Sequence, residues 1–138
     1  MFSKIMVPVD LAHEDKLTRA LTCARDLAKL YGASVTYVGV TGSAPSALGH
    51  SPEEFTSRLE AFASDRAAED GIETRAHAIT SHDPAAEMNR ALSRAVTDTG
   101  ADLVVVASHV PGLAEHLRES HGGSLAEHSA CSVMVVRG

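Results

Sequence analysis

The chain alternates short apolar runs with longer amphipathic stretches, the pattern of a parallel sheet covered by helices. Residues 5–9 are apolar at nearly every position, as a strand buried on both faces must be. Residues 101–107 are the clearest strand, and residues 34–40, 72–79 and 133–136 are predicted as the other three. Polar alternation in residues 72–79 predicts a strand at the edge of the sheet.

Three amphipathic stretches are predicted as helices. Residues 14–31 carry apolar side chains three and four positions apart, which makes one buried stripe. The second helix begins at Ser51 and Pro52 with acidic residues in its first turn, and the third begins at Asp83. Glycines placed to end the three helices are Gly32, Gly71 and Gly100. Residues 41–51 are predicted as a surface loop, and residues 108–132 as partly helical with a break at two glycines.

Five strands joined by crossover helices predict one α/β domain over residues 1–138. The expected fold is a doubly wound, Rossmann-like parallel sheet with helices on both faces. In such sheets the ligand crevice lies beyond the carboxyl ends of the strands, where the strand order reverses. The rim of that crevice would contain Asp10, residues 40–42 and residues 107–111.

Composition narrows the class of protein. The net charge is −6 with scattered basic residues, aromatics are 4%, and Trp is absent, so a nucleic-acid surface is not expected. The apolar runs are too short for a membrane span. Cys23 and Cys131 lie far apart among apolar neighbours and predict free buried thiols. A reducing, cytoplasmic location follows as the expectation.

Three segments resemble the universal stress protein family. Residues 4–10 (KIMVPVD) are similar to the family's opening KILVPVD, and residues 101–109 (ADLVVVASH) to ADLIVVGSHG. Residues 128–137 (HSACSVMVVR) are similar to HAPCPVLVVR, and the order and spacing fit along essentially the whole chain. The resemblance implies an adenine-nucleotide α-hydrolase-like fold, a homodimer, and in many members a bound ATP.

The resemblance also implies a nucleotide site. Pro8, Val9 and Asp10 would line the adenine and ribose, and Val40 would contact the adenine. The phosphate side would begin with the residues that follow the fourth strand, which are Ala107, Ser108, His109 and Val110. Asp10 alone would be interpreted as a helix cap or a solvated carboxylate, but together with Pro8 and the later motifs it favours a site.

The phosphate loop departs from the family pattern. ATP-binding members carry Gly-x2-Gly-x9-Gly-Ser/Thr, because glycine lets the backbone approach phosphates and the hydroxyl opens an anion-binding helix. Here Val110 takes the place of a glycine and is followed by Pro111, while Gly112 stands in for the second glycine. The glycine of the Gly-Ser pair is expected at Ser120, next to Glu119, and a carboxylate there would repel a triphosphate.

A slipped loop offers one way to restore that site. Gly122, Gly123 and Ser124 form a second Gly-Gly-Ser turn four residues downstream. If the loop shifted, these glycines would bind phosphate and Ser124 would cap the last helix. ATP, with Mg²⁺, would then be the expected ligand.

Three functions therefore stay open. The first is a dimeric stress protein that senses or buffers an adenine nucleotide such as AMP, ADP or cyclic AMP, which would avoid Glu119. The second is a nucleotide-free interaction protein that acts through its dimer surface with an unidentified protein partner. The third is a slow ATP hydrolase, which needs the slipped loop.

Other candidate chemistry is weaker. The histidines between residues 109 and 128 lack paired metal-ligand spacing, so solvated or capping roles are favoured over a metal site. Ser108 and His109 would point to opposite faces, and Asp102 would lie at the far end of its strand, so no catalytic triad is expected. The apolar strand at residues 133–136 would expose a sheet edge, which favours a twofold dimer through that strand.

Overall fold

The computed structural model describes residues 1–44, 51–108 and 131–137. Within these ranges the strands are β1 (Lys4–Pro8), β2 (Ser34–Gly42), β3 (Thr74–Ser81), β4 (Leu103–Ala107) and β5 (Ser132–Val136). The helices are a 3₁₀ helix (Leu11–Leu17), α1 (Thr18–Tyr31), α2 (Pro52–Asp70) and α3 (Pro84–Thr99). All strand pairs are parallel, in the order β3-β2-β1-β4-β5. The predicted five-stranded parallel sheet is confirmed, with β3 and β5 at its edges.

Side-chain contacts place helices on both faces of the sheet. Tyr37 of β2 packs edge-on against Phe62 of α2, with ring centroids 5.2 Å apart. On the opposite face, Met6 of β1 lies with its Sδ 4.0 Å from Oγ1 of Thr99 in α3. Tyr37 is level with Val7, the residue next to Met6 in β1. Because successive side chains of a strand point to opposite faces, Met6 and Tyr37 lie on opposite faces of the sheet. The doubly wound arrangement predicted from the sequence is confirmed.

Side-chain caps begin α2 and α3 where the sequence predicts them. Ser51 Oγ accepts a hydrogen bond from the Glu54 amide at 3.2 Å, and Asp83 Oδ1 accepts one from Ala86 at 3.3 Å. Gly71 and Gly100 end the two helices with φ angles of 67° and 68°, a conformation that favours glycine. The helix boundaries therefore follow directly from local residue chemistry.

The first predicted helix is wrong in its opening turns. Residues 11–17 form a 3₁₀ helix with a kink at His13, whose φ of −135° and ψ of 47° are not helical. The cause is local, because the Asp10 carbonyl accepts a hydrogen bond from the His13 amide at 3.0 Å and tightens the turn. Tyr31, predicted on the buried stripe, is 37% exposed and packs edge-on against Phe2.

Strand ends also differ from the prediction. β2 continues through Thr41 and Gly42, which were predicted as loop, because they pair with Thr80 and Ser81 of β3. β3 accordingly lies two residues later than predicted, and β4 begins at Leu103 rather than at residue 101. Backbone pairing extends these strands regardless of side-chain polarity. The rest of the predicted loop, residues 45–50, and most of the stretch between β4 and β5 lie outside the described residues.

The core lies between the central strands and the helices. Every side chain of β4 is buried, as are Ile5, Met6 and Val7 of β1. Gly39 of β2 lets α2 approach closely, since a Cβ at that position would lie 2.8 Å from Cζ of Phe55. The apolar centre holds the carboxyl ends of β1 and β4 at one edge of the sheet.

Candidate functional site

The reversal of strand order lies between β1 and β4. β1 pairs with β2 on one side and with β4 on the other, where Ile5 is level with Leu103. Continuing this register brings Val9 level with Ala107 and Asp10 level with Ser108. Two backbone hydrogen bonds stabilise these strand ends. The Val9 amide donates to the Val38 carbonyl at 2.8 Å, and the Ser108 amide donates to the Val136 carbonyl at 3.0 Å. The structure thus brings together the carboxyl ends that the sequence predicts as the rim of a crevice.

The predicted site residues at this edge divide into two groups by burial. Val9 and Ala107 are buried members of the hydrophobic core, so only their backbone is available to a ligand. Asp10, Val40 and Ser108 are half-buried at the rim. These three positions provide a carboxylate, an apolar contact and a hydroxyl.

Because side chains alternate along a strand, the face of the sheet to which Pro8 and Val40 point is known. Pro8 pairs with Val38, so Pro8 and Val40 project to the same face as Met6, the face that α3 covers. Pro8 itself is buried and Val40 is half-buried. A flat apolar group lying over this edge would therefore meet Val40 first.

Asp10 has both carboxylate oxygens engaged. Oδ1 accepts a hydrogen bond from the Ala12 amide at 3.0 Å and so caps the 3₁₀ helix. Oδ2 lies 2.9 Å from Nδ1 of His13. The carboxylate is 25% exposed, so one side of it still faces solvent. Asp10 is therefore a cap in this structure, with room at its open side for one more donor.

His13 is a neighbour that the sequence analysis did not single out. Its Nδ1 is held by Asp10, while its side chain is 43% exposed at the carboxyl edge. The spacing Asp-x-x-His after a strand was the available signal. It could not be used alone, because the contact depends on the non-helical backbone at His13.

The remaining sequence-predicted site residues are not described by the structure. They are His109, Val110, Gly112, Ser120, Gly122, Gly123 and Ser124. The predicted phosphate loop and the slipped-loop alternative both fall in this part of the chain. They remain predictions.

Asp102 lies at the opposite end of its strand from Ser108, as predicted, where the amino ends of β1 and β4 meet. Its carboxylate accepts hydrogen bonds from the amides of Ser3 at 2.8 Å and Lys4 at 3.0 Å. These contacts tie the start of β1 to the start of β4. Asp102 therefore joins two strands and lies away from Ser108.

Neither cysteine forms a disulfide; Cys131 is buried as predicted, whereas Cys23 is only half-buried. Burial raises the pKa of the Cys23 thiol, with a further increase from Asp26, and burial followed by Asp102 raises the pKa of Cys131. Cys23 Sγ lies 3.5 Å from Sδ of Met134. A higher pKa lowers the thiolate population that nucleophilic chemistry requires. Packing accounts for both residues.

Two features are absent from the described part of the chain, residues 1–44, 51–108 and 131–137. There, no three His, Cys, Asp or Glu side chains are grouped closely enough to hold a metal ion. Among the same residues, no helix combines the length and the apolar character needed to cross a membrane.

The architecture is that of a doubly wound α/β protein whose strand order reverses between β1 and β4. Residues 1–137 match the model of the universal stress protein family. The chain belongs to this family, which confirms the resemblance of its three segments.

Solved structures agree with this fold. A universal stress protein family member from Burkholderia pseudomallei is 23% identical, with a TM-score of 0.67 over 97% of this chain and 95% of that one. A universal stress protein in complex with cAMP is 22% identical, with a TM-score of 0.67 over 98% and 97%. A family protein from Arabidopsis thaliana with AMP bound is 20% identical, with a TM-score of 0.64 over 98% and 91%.

Proposed function

We propose that this universal stress protein binds an adenine nucleotide with one phosphate group, AMP or cyclic AMP, at the carboxyl edge between β1 and β4. The observation that carries the proposal is the reversal of strand order at that edge, with Asp10, Val40 and Ser108 half-buried around it. Ligands of doubly wound sheets bind at such a reversal. The protein would sense or buffer the nucleotide as part of a stress response.

The described residues fit the nucleoside half of such a ligand. Val40 offers an apolar contact to a base, and the open side of the Asp10 carboxylate can accept a ribose hydroxyl. Two structurally similar proteins were solved with cAMP and with AMP, which supports an adenine nucleotide as the ligand class. His13, beside Asp10, would lie near the ribose and contribute a further polar contact.

The sequence after β4 supports the preference for one phosphate over three. Val110 and Pro111 replace a glycine and its neighbour in the family's ATP pattern, and Glu119 lies directly before the position of the Gly-Ser pair. A carboxylate beside a triphosphate is repulsive, and it is less so beside a monophosphate. ATP binding, with Mg²⁺, would instead require the slipped loop at Gly122, Gly123 and Ser124.

Calorimetric titration of the purified chain tests the proposal. AMP and cyclic AMP are expected to bind with micromolar affinity and to raise the melting temperature, while ATP binds at least about tenfold more weakly, a difference of roughly 1.4 kcal/mol. Tighter binding of ATP with Mg²⁺ would support the slipped loop and call for a hydrolysis assay. Glu119→Gly separates the two accounts further, since it should strengthen ATP binding only if Glu119 excludes the phosphates.

The second candidate is a nucleotide-free interaction protein. The engagement of both Asp10 oxygens, by Ala12 and by His13, favours it because a ribose hydroxyl must share the carboxylate with these donors. Titrations without heat, together with an unchanged melting temperature for all three nucleotides, would leave this candidate as the surviving account.

The proposal includes an assembly and a location. We propose a homodimer through β5, an edge strand on which Met134 is 38% and Val135 is 44% exposed. Two cysteines that form no disulfide are compatible with a reducing compartment, so the cytoplasm is the proposed location. Residues 1–138 are proposed to act as one domain.

A further inference from the structure

A groove opens between α1 and α2, on the sheet face opposite α3. It has a volume of about 320 Å³ and contains none of the residues of the nucleotide site. Leu21 and Phe62 contribute apolar surface, and Arg25 and Arg66 line the groove from the two helices. This volume lies at the lower end of the range of small-molecule sites, roughly 300–1,000 Å³. The groove therefore suits a small ligand.

Arg66 is held in the groove with part of its guanidinium unsatisfied. The group lies over the Phe62 ring, with Cζ 5.9 Å from the ring centroid, and one Nη pairs with Glu69. Its Nε is fully buried and finds no hydrogen-bond partner among the residues that the structure describes. A buried N–H without an acceptor is costly, so a ligand that supplies an acceptor gains by relieving it.

A carboxylate is the acceptor that matches Arg66. The Nε–H and one Nη–H of a guanidinium form a fork that binds both oxygens of a carboxylate. The competing partner, Glu69, is 64% exposed and gives a solvated ion pair that contributes little. Because Nε is buried, carboxylate binding requires the Arg66 side chain to rotate so that its fork faces the groove.

The charges around the groove disfavour a ligand with more than one negative charge. Glu14, Asp15 and Asp70 also line it, so the groove has three carboxylates and two guanidinium groups. Arg25 is already paired with Asp26 at 2.9 Å. A phosphate with two negative charges would be repelled more strongly here than a single carboxylate, whose two oxygens pair directly with Arg66.

We propose that the groove between α1 and α2 is a second binding site, which takes a small monocarboxylate with a flat apolar body. The carboxylate pairs with Arg66 and the body lies against Leu21 and Phe62. Phe62 is held for this contact by the edge of Tyr37 beneath it. The site is independent of the proposed nucleotide site, since the two share no residue.

Nuclear magnetic resonance titration of the ¹⁵N-labelled full chain with sodium benzoate tests the proposal. The Arg66 Nε–Hε resonance and the amides near Leu21 and Phe62 are expected to shift saturably, with a Kd of about 1 mM. Inorganic phosphate and benzylamine, titrated in parallel, should give no saturable shift at these resonances. Benzylamine keeps the flat apolar body but lacks the carboxylate, and phosphate lacks both the carboxylate and the apolar body.

Variants locate the binding. Arg66→Lys keeps the charge but loses the fork, and it should weaken benzoate at least about tenfold. Arg94→Gln, an exposed change on α3, is the matched control and should bind as wild type. If Arg66→Lys does not fold, as judged by circular dichroism, Arg25→Gln should still bind benzoate through Arg66. No saturable shift in the wild type, equal binding of phosphate, or undiminished binding by folded Arg66→Lys would overturn the proposal.

Discussion

At the scale of single residues, Asp10 combines a structural role with a proposed ligand contact. It caps the 3₁₀ helix through the Ala12 amide and pairs with His13. Asn is as good an N-cap as Asp, whereas Ala removes the cap at a cost of about 1 kcal/mol. The two substitutions therefore distinguish structure from ligand binding.

We expect Asp10→Asn to keep its urea midpoint within the error of wild type and to bind AMP at least about tenfold more weakly, since a charge-assisted hydrogen bond is lost. Asp10→Ala should lose both properties. Urea unfolding and AMP calorimetry on the same samples check this. Full AMP affinity in folded Asp10→Asn would show that the carboxylate is a cap only.

Tyr37 makes stability depend on alkaline pH. Burial, and then Asp70, raise the pKa of Tyr37 from 10.0 to about 12, against a smaller lowering by Arg66. The folded state therefore holds the phenolic proton more tightly than the unfolded state does. This contribution is complete below pH 10 and is lost as the pH rises from 10 to about 12.

Urea unfolding across this pH range should show a steeper loss of stability in wild type than in Tyr37→Phe. Tyr31→Phe is the matched control, because it removes a phenol from the surface and leaves Tyr37 in place. Identical pH slopes in wild type and Tyr37→Phe would contradict the assignment to Tyr37.

At the scale of elements, the ends of helices were more predictable than the ends of strands. Ser51, Gly71 and Gly100 mark helix ends because a cap or a positive φ is a local property of one residue. The last residues of β2 and β3 pair through their backbones, so Gly42 and Ser81 gave no apolar signal. The kink at His13 depends on hydrogen bonds to Asp10, which a helical period does not encode.

In the candidate site, too, some features were predictable from the sequence and others depended on the three-dimensional pairing of strands. The position of its rim follows from strand order, which a βαβ pattern predicts, so Asp10, Val40 and Ser108 were expected at one edge. The Val9 and Ala107 side chains point into the core because of the strand register. The register is known only once the strands are paired in the structure, so the sequence did not predict it. The groove at Arg66 joins two helices far apart in sequence, and no local motif marks it.

The Ser51 cap makes a testable contribution to α2. Ser51→Ala removes the acceptor of the Glu54 amide and should lower the free energy of unfolding by about 1 kcal/mol. Ser64→Ala, an exposed change inside the same helix, is the control and should be neutral or slightly stabilising. Urea unfolding measures both. Equal effects of the two substitutions would mean that the cap is not formed in solution.

At the scale of the whole molecule, the two edges of the sheet differ in how they are protected. β3 has a largely polar sequence, TRAHAITS, whereas β5 is SVMVV and exposes Met134 and Val135. An exposed apolar edge strand promotes pairing with another chain, and a charge placed on it blocks such pairing. Pairing of two β5 strands about a twofold axis would cover the apolar edge in both copies.

Val135→Lys should therefore convert the protein from a dimer to a monomer in sedimentation velocity at micromolar concentration. Thr80→Lys adds the same charge to an exposed position on the opposite edge strand and should remain dimeric. Circular dichroism establishes that both variants are folded. A monomeric wild type would contradict the dimer itself, and a dimer that survives Val135→Lys but not Thr80→Lys would place the interface at β3. Because only residues 125–131 separate the proposed phosphate loop from β5 in the chain, AMP affinity should be measured on the same variants, which shows whether assembly and ligand binding are coupled.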